Sequence, residues 1–168
     1  MKRVLHAVDS ISDWSGKIVS FAIYLGILML VFEVIARYFF NSPTVWVHGY
    51  SQRLFGSYFI LVGAYTLLKD GHVRVDIIYQ RFPIRVRALL DILNYSLLAI
   101  WVFVLIKEGG TFFYNSWMMR EADEMALAHP VYPVKLILVV GVLLIFLQGL
   151  SRLTTSCITL VKGVKYEL

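Results

Sequence analysis

Apolar and polar positions along this chain fall into long blocks. Runs with at most one internal charge cover residues 18–36, 54–68 and 92–106, and a fourth covers 134–152, charged only at Lys135 and Arg152. A helix of about 19 residues is roughly 28 Å long, close to the thickness of a hydrocarbon core of about 30 Å. The pattern predicts an all-α membrane protein, a single integral membrane domain over 1–168. Its four transmembrane helices fall at about 18–38, 46–68, 88–108 and 133–153. Asn41-Ser42-Pro43 ends the first span, and His129-Pro130-Val131-Tyr132-Pro133 turns the chain before the fourth. The third helix reads on to about Leu127, giving it an extended periplasmic end, with the diglycine Gly109-Gly110 marking a candidate break. Ahead of the first span, Val4, Leu5, Val8, Ile11 and Trp14 fall at helical spacing. Two readings stand there: a short amphipathic helix on the inner membrane face, or a frayed solvated tail.

Charge sets the orientation. Only 16% of the residues are charged and mean hydropathy is +0.72, whereas soluble domains are about 25% charged. The 69–87 loop holds Lys69, Arg74, Arg81, Arg85 and Arg87 against Asp70 and Asp76. Together with Lys2, Arg3 and Lys17 before the first span and Arg152, Lys162 and Lys165 at the end, eleven basic residues fall on one side. The other side holds five: Arg37, Arg53, Lys107, Arg120 and Lys135. Short basic loops stay inside, so both termini are expected in the cytoplasm and 107–133 in the periplasm of a bacterial inner membrane, with phospholipid as the surrounding partner. No continuous basic face is present, which sets nucleic acid aside. Cys157 is the only cysteine, so neither an internal disulfide nor a multi-thiolate site is possible. Met1-Lys2-Arg3 resembles a signal-peptide start, but no small-residue cleavage site follows the apolar run. An uncleaved first membrane helix is expected.

Few residues carry candidate chemistry. Glu33 is a charge within the first span, and Arg37 lies four residues on, in the favourable order for a helical ion pair. An intramembrane charge is a functional candidate. One reading is a paired charge that docks another helix. The other is the proton-exchanging acid of a stand-alone four-helix small exporter. Arg37 counts against the second, because a paired carboxylate exchanges protons poorly. Trp46 suits a membrane interface, and Gly56 and Gly63, seven apart, offer one face for close helix contact. Arg120, Glu121, Asp123 and Glu124 form a net acidic outer tip, read either as a solvated helix end or as a dock for a soluble partner. The histidines, His6, His48, His72 and His129, sit in termini, loops or interfaces, so no facing pair for haem is expected, and no other cofactor. Phosphate loops, nucleophile elbows and zinc spacings are missing, as are the paired interrupted helices of a self-sufficient transporter. A non-enzymatic scaffold or accessory subunit is the simplest reading.

Particular residues then suggest a family. Phe32-Glu33-Val34-Ile35-Ala36-Arg37-Tyr38-Phe39-Phe40-Asn41-Ser42-Pro43 with Trp46, then Gly63 onward to Gly71-His72-Val73-Arg74-Val75-Asp76 and Phe82-Pro83, form most of the pattern. Pro133-Val134-Lys135 and Gln148-Gly149-Leu150-Ser151-Arg152 complete it. The chain resembles the small membrane subunit (DctQ type) of tripartite ATP-independent periplasmic (TRAP) transporters, with Gly71, His72, Arg74 and Asp76 as its cytoplasmic loop motif. Trp46-Val47-His48-Gly49 departs from the acid that often follows the tryptophan in that family. The resemblance implies a partner, a large multi-span membrane subunit carrying the substrate and sodium sites. It also implies a periplasmic solute-binding protein that delivers a small organic acid. The small subunit would brace the static scaffold, with Glu33, Arg37, Trp46, Gly56 and Gly63 as candidate subunit contacts.

Overall fold

A computed structural model of the chain describes residues 2–69, 71, 79, 81–123 and 128–163. Among these, five α-helices follow one another: α1 (Lys2–Ser20), α2 (Ala22–Tyr38), α3 (Trp46–Leu68), α4 (Ile84–Met118) and α5 (Tyr132–Lys162). Only Phe21 separates α1 from α2, and Leu5–Tyr38, Ile84–Met118 and Tyr132–Lys162 are each long and apolar enough to cross a membrane. The architecture is that of an all-α membrane protein. At 23 residues, α3 is about 34 Å long but more polar, with His48, Gln52 and Arg53 in its first turns. It is flanked by α1, α2 and α5.

The distribution of side chains is inverted relative to a protein in water. Val47, Ala64 and Gln148 are fully buried, and Ser12, Ser51, Ser116 and Ser151 are buried beside them. Phe21, Leu28, Phe59 and Ile100 each expose more than half their surface. Burying large apolar groups drives folding in water, but lipid tails remove that incentive. Close approach of small residues and hydrogen bonds between helices hold the structure together instead.

The helices form an open row, α2–α3–α5–α4, with α1 laid across the lower ends of α3 and α5. A cleft of about 590 Å³ separates α2 from α5 above α3, lined by Leu25, Met29, Leu54 and Ile137 among others. Gly141 sets the contact between α3 and α5. A Cβ there would lie 2.4 Å from Ile60 Cγ2 and 3.2 Å from the Ile60 backbone, so no side chain fits without moving the helix.

The register of α4 against α5 corrects the sequence reading of the third long helix. It ends at Met118, not near Leu127, and passes through Gly109-Gly110 without a break. Gly109 packs against α5: a Cβ there would stand 3.3 Å from Leu138. At the upper end the Trp117 and Tyr132 rings meet edge to face, 5.0 Å between centroids, so α4 stops level with the start of α5. At the lower end α3 stops at Leu68, whose carbonyl accepts a hydrogen bond from Arg152, while α5 continues to Lys162. Gly163, in the left-handed conformation, lies beside the Arg85 guanidinium there. The extra length of α4 therefore projects past α3 at the lower end, opposite to the expected extended periplasmic end.

Two glycines separate packing from propensity. Gly141→Val is expected to lower stability by about 1–3 kcal/mol through overpacking against Ile60. Gly56→Ala, where a Cβ meets nothing within 4 Å, is expected to be neutral or stabilising by up to about 1 kcal/mol. Thermal unfolding in detergent, followed by circular dichroism, checks both.

Candidate functional site

The polar side chains that tie helices together gather at the two ends of the row. At the upper end Glu33 closes the α2–α3 connection. Its Oε1 accepts from Arg37 Nε at 3.1 Å and Nη2 at 2.5 Å, and its Oε2 accepts from the Thr44 backbone N–H at 3.1 Å and from the Thr44 hydroxyl. Four donors on one carboxylate, itself only 12% exposed, make Glu33 a fixed joint. Trp46 stacks obliquely on Phe32 across that joint, 6.1 Å between centroids.

The described parts of the α4–α5 connection, 119–123 and 128–131, pair as a hairpin with an antiparallel bridge between Ala122 and Pro130. Glu121 N–H donates to the Ser116 carbonyl while Arg120 takes φ 48°, a six-to-one helix terminus with arginine in the position glycine usually holds. Asp123 N–H donates to the His129 carbonyl at 2.8 Å, and Val131 N–H to the Glu121 carbonyl at 3.0 Å. Three side-chain contacts pin the hairpin down. Arg53 Nη2 of α3 meets Asp123 Oδ2 at 2.6 Å, Tyr50 Oη meets His129 Nε2 at 2.9 Å, and Lys135 Nζ of α5 meets Glu121 Oε2 at 2.5 Å. The Lys135 ammonium also sits 3.6 Å from the centroid of the Phe112 ring, a cation–π contact that ties it to α4. Lys135 holds the Glu121 carboxyl below the ordinary glutamate range.

At the lower end the ties are interior. Ser12 Oγ of α1 donates to Gln148 Oε1 of α5 at 2.7 Å, and Gln148 Nε2 donates to Asp9 Oδ1 at 2.9 Å. Ser151 Oγ reaches the same Asp9 oxygen at 3.4 Å. Asp13 pairs with Lys17 on its own helix and with Lys69 at 3.1 Å just after α3. A Cβ at Gly16 would stand 2.3 Å from the Tyr65 side chain, so α1 lies directly on α3. The polar face of α1 thus points into the protein. Its apolar face, with Ile11, Trp14 and Ile18, points out, as a helix at a lipid boundary requires.

The residues expected to form one contact surface are placed apart. Glu33, Arg37 and Trp46 serve the α2–α3 joint. A Cβ on Gly63 would meet Ile145 of α5 at 2.8 Å, so Gly63 faces the interior of the row, whereas Gly56 opens onto empty space. The two glycines share a helical face but not a neighbour. The outer acids differ as well: Glu121 and Asp123 are both engaged in internal ion pairs, and Arg120 is exposed. Gly71 follows α3, its N–H bonded to the Thr66 carbonyl at 2.9 Å. Glu124, His72, Arg74 and Asp76 lie outside the described residues. Thr44, Gln148 and Asp9 were not anticipated as partners, since nothing local in the sequence ties residues 11 to 139 positions apart.

Residues 26–157 match a family model described as Tripartite ATP-independent periplasmic transporters, DctQ component. No curated protein matches the chain.

The Lys135–Glu121 tie has a definite pH signature. The folded Glu121 pKa lies below its unfolded value, so its stabilisation is present above the ordinary glutamate range and is lost as pH falls through the folded pKa. Unfolding temperature is expected to drop on acidification from neutral pH, and Glu121→Gln to flatten part of that drop while lowering the neutral value. At the opposite end, Gln148→Leu leaves Ser12 and Asp9 without their buried partner. The expected loss is about 1–3 kcal/mol, read from the same unfolding curves.

Proposed function

Because the chain belongs to the DctQ component family of tripartite ATP-independent periplasmic transporters, we propose that it is the small scaffold subunit of a sodium-driven uptake system for small organic acids. Membership makes it a membrane-embedded transporter component and not an enzyme. Such components work beside a large membrane component and a periplasmic binding protein. Beyond membership, we place the chain in a bacterial inner membrane with four crossings, by α2, α3, α4 and α5, and with both termini in the cytoplasm.

The observation that carries the scaffold reading is the use made of the polar groups. Glu33, Arg53, Asp123, Lys135, Glu121 and Gln148 all spend their hydrogen bonds or charges on holding helices and connections in place. Such groups would mark a pathway if they converged on a cavity. Here they tie the ends of a row one helix deep, and among the described residues they do not converge on an enclosed passage. The uneven count of basic residues on the two sides supports the orientation. The proton-coupled exporter is less well supported, because the carboxylate it needs is saturated by Arg37 and Thr44. On this reading the row widens and braces the stationary part of the large component while the substrate-carrying part moves. The hairpin, with exposed Arg120, helps seat the binding protein.

Reconstitution tests this directly. In liposomes the purified chain alone is expected to move no solute. Together with the large component and the binding protein, uptake of an organic acid is expected to follow an inward sodium gradient and to collapse with a sodium ionophore. Solute flux through the chain alone would overturn the scaffold role, and uptake indifferent to the gradient would remove the sodium coupling.

A further inference from the structure

We infer that the outward face of the upper third of α4, formed by Lys107, Glu108, Thr111, Tyr114, Asn115 and Met118, is the seat of the large membrane component. The inference rests on the proposed function above and adds the face, which neither the family match nor the sequence assigns. These six residues recur at intervals of three and four, so they share one side of the helix. All six are exposed. The opposite side of α4, with Val102, Gly109 and Ser116, packs against α5.

The argument is a conflict that no placement in the membrane removes. Gly109 is level with Leu138 and Val139 of α5, six residues or more below Tyr132, or roughly 9 Å along the helix axis. If the upper ends of α3 and α5 mark the edge of the hydrocarbon, Lys107 and Glu108 are held well inside it. Among the described residues no ion-pair partner meets either one. If instead Lys107 and Glu108 mark that edge, α4 rises about 18 Å above it to Met119. The headgroup zone is only roughly 5–7 Å deep on each side. Tyr114, Trp117 and Met118, each more than half exposed, would then stand in water. The first placement strands charge in lipid and the second strands aromatic and thioether groups in water.

A protein surface removes both difficulties at once. The groove along this face holds about 440 Å³ and is lined by Glu108, Thr111, Phe112 and Asn115 of α4 and by Leu138 of α5. Its mixed lining fits a membrane helix that brings a cation or hydrogen-bond donor to Glu108 and Asn115 and apolar side chains to Phe112 and Leu138. The other edge of the row offers no such reason. The outward residues of α2, Tyr24, Leu28, Val31 and Ile35, are apolar and exposed, and the one acid of that helix is turned to Thr44. Lipid alone suffices there.

The test uses the assembled complex in native membranes. A photoreactive residue at Thr111 or Asn115 is expected to crosslink to the large component at least about tenfold more than one at Leu28 or Val31. Glu108→Lys combined with Asn115→Leu is expected to cut the copurified large component by about tenfold, with the membrane level and unfolding temperature of the chain itself unchanged. Crosslinking from Thr111 and Asn115 to lipid only, or heavier crosslinking from Leu28, overturns the assignment of the face. If the double variant fails to insert, the crosslinks decide. A large component that copurifies undiminished with the double variant shows the face to be wrong while the family-based role stands. An unsubstituted chain that brings down no large component overturns both.

Discussion

Hydrocarbon offers no hydrogen bond, and the polar side chains that join the helices of this protein are placed under that constraint. Gln148 shows it most plainly. Its amide is fully buried in α5, and it is tolerated because Ser12 donates to its oxygen and its nitrogen donates to Asp9. The same contacts decide where α1 lies. A helix whose polar face carries Asp9, Ser12 and Asp13 would turn that face to water in a soluble protein. Here it turns inward, onto Gln148, Ser151 and Lys69, and leaves Trp14 outside. Of the two readings open at the start of the chain, the ordered amphipathic helix is the one found, and its orientation follows from the solvent.

The upper end obeys the same rule with charges. Glu33 serves the α2–α3 connection and Glu121 and Asp123 the α4–α5 connection, and each meets a base within 2.6 Å. Isolated exposed pairs contribute little to stability. These pairs are partly enclosed and joined to backbone donors or aromatic rings, so their work is to fix geometry: the entry into α3, and the hairpin between α4 and α5. With both ends tied, the middle of the row holds by close packing alone, at contacts such as Gly141 on Ile60.

Much of this was legible in the sequence, and the rest fails for identifiable reasons. Block hydropathy located the long helices, and spacing alone paired Glu33 with Arg37. The end of α4 was invisible because arginine holds the left-handed position there, so no glycine or proline marks the stop. Gly109-Gly110 read as a weak point, but the missing side chain of Gly109 lets α5 come close, while a Cβ at Gly110 would meet nothing within 4 Å. Glu121 and Asp123 show in the sequence only as acids of an outer tip, while their partners, Lys135 and Arg53, lie 14 and 70 residues away. Face-sharing of Gly56 and Gly63 was correct as helical geometry and silent about neighbours, since only Gly63 has a helix opposite it. Local pattern reports elements and i,i+4 pairs; it does not report which distant residue answers a charge.

Arranging four helices side by side, rather than two by two, has a mechanical outcome. With neighbouring axes about 8–10 Å apart, a single file extends roughly twice as far across the plane of the bilayer as a square bundle of the same mass. What it forgoes in self-contained core it gains in lever arm. Fastened along one edge to a larger body, a strip of this width would resist tipping of that body in the bilayer more than a square bundle would.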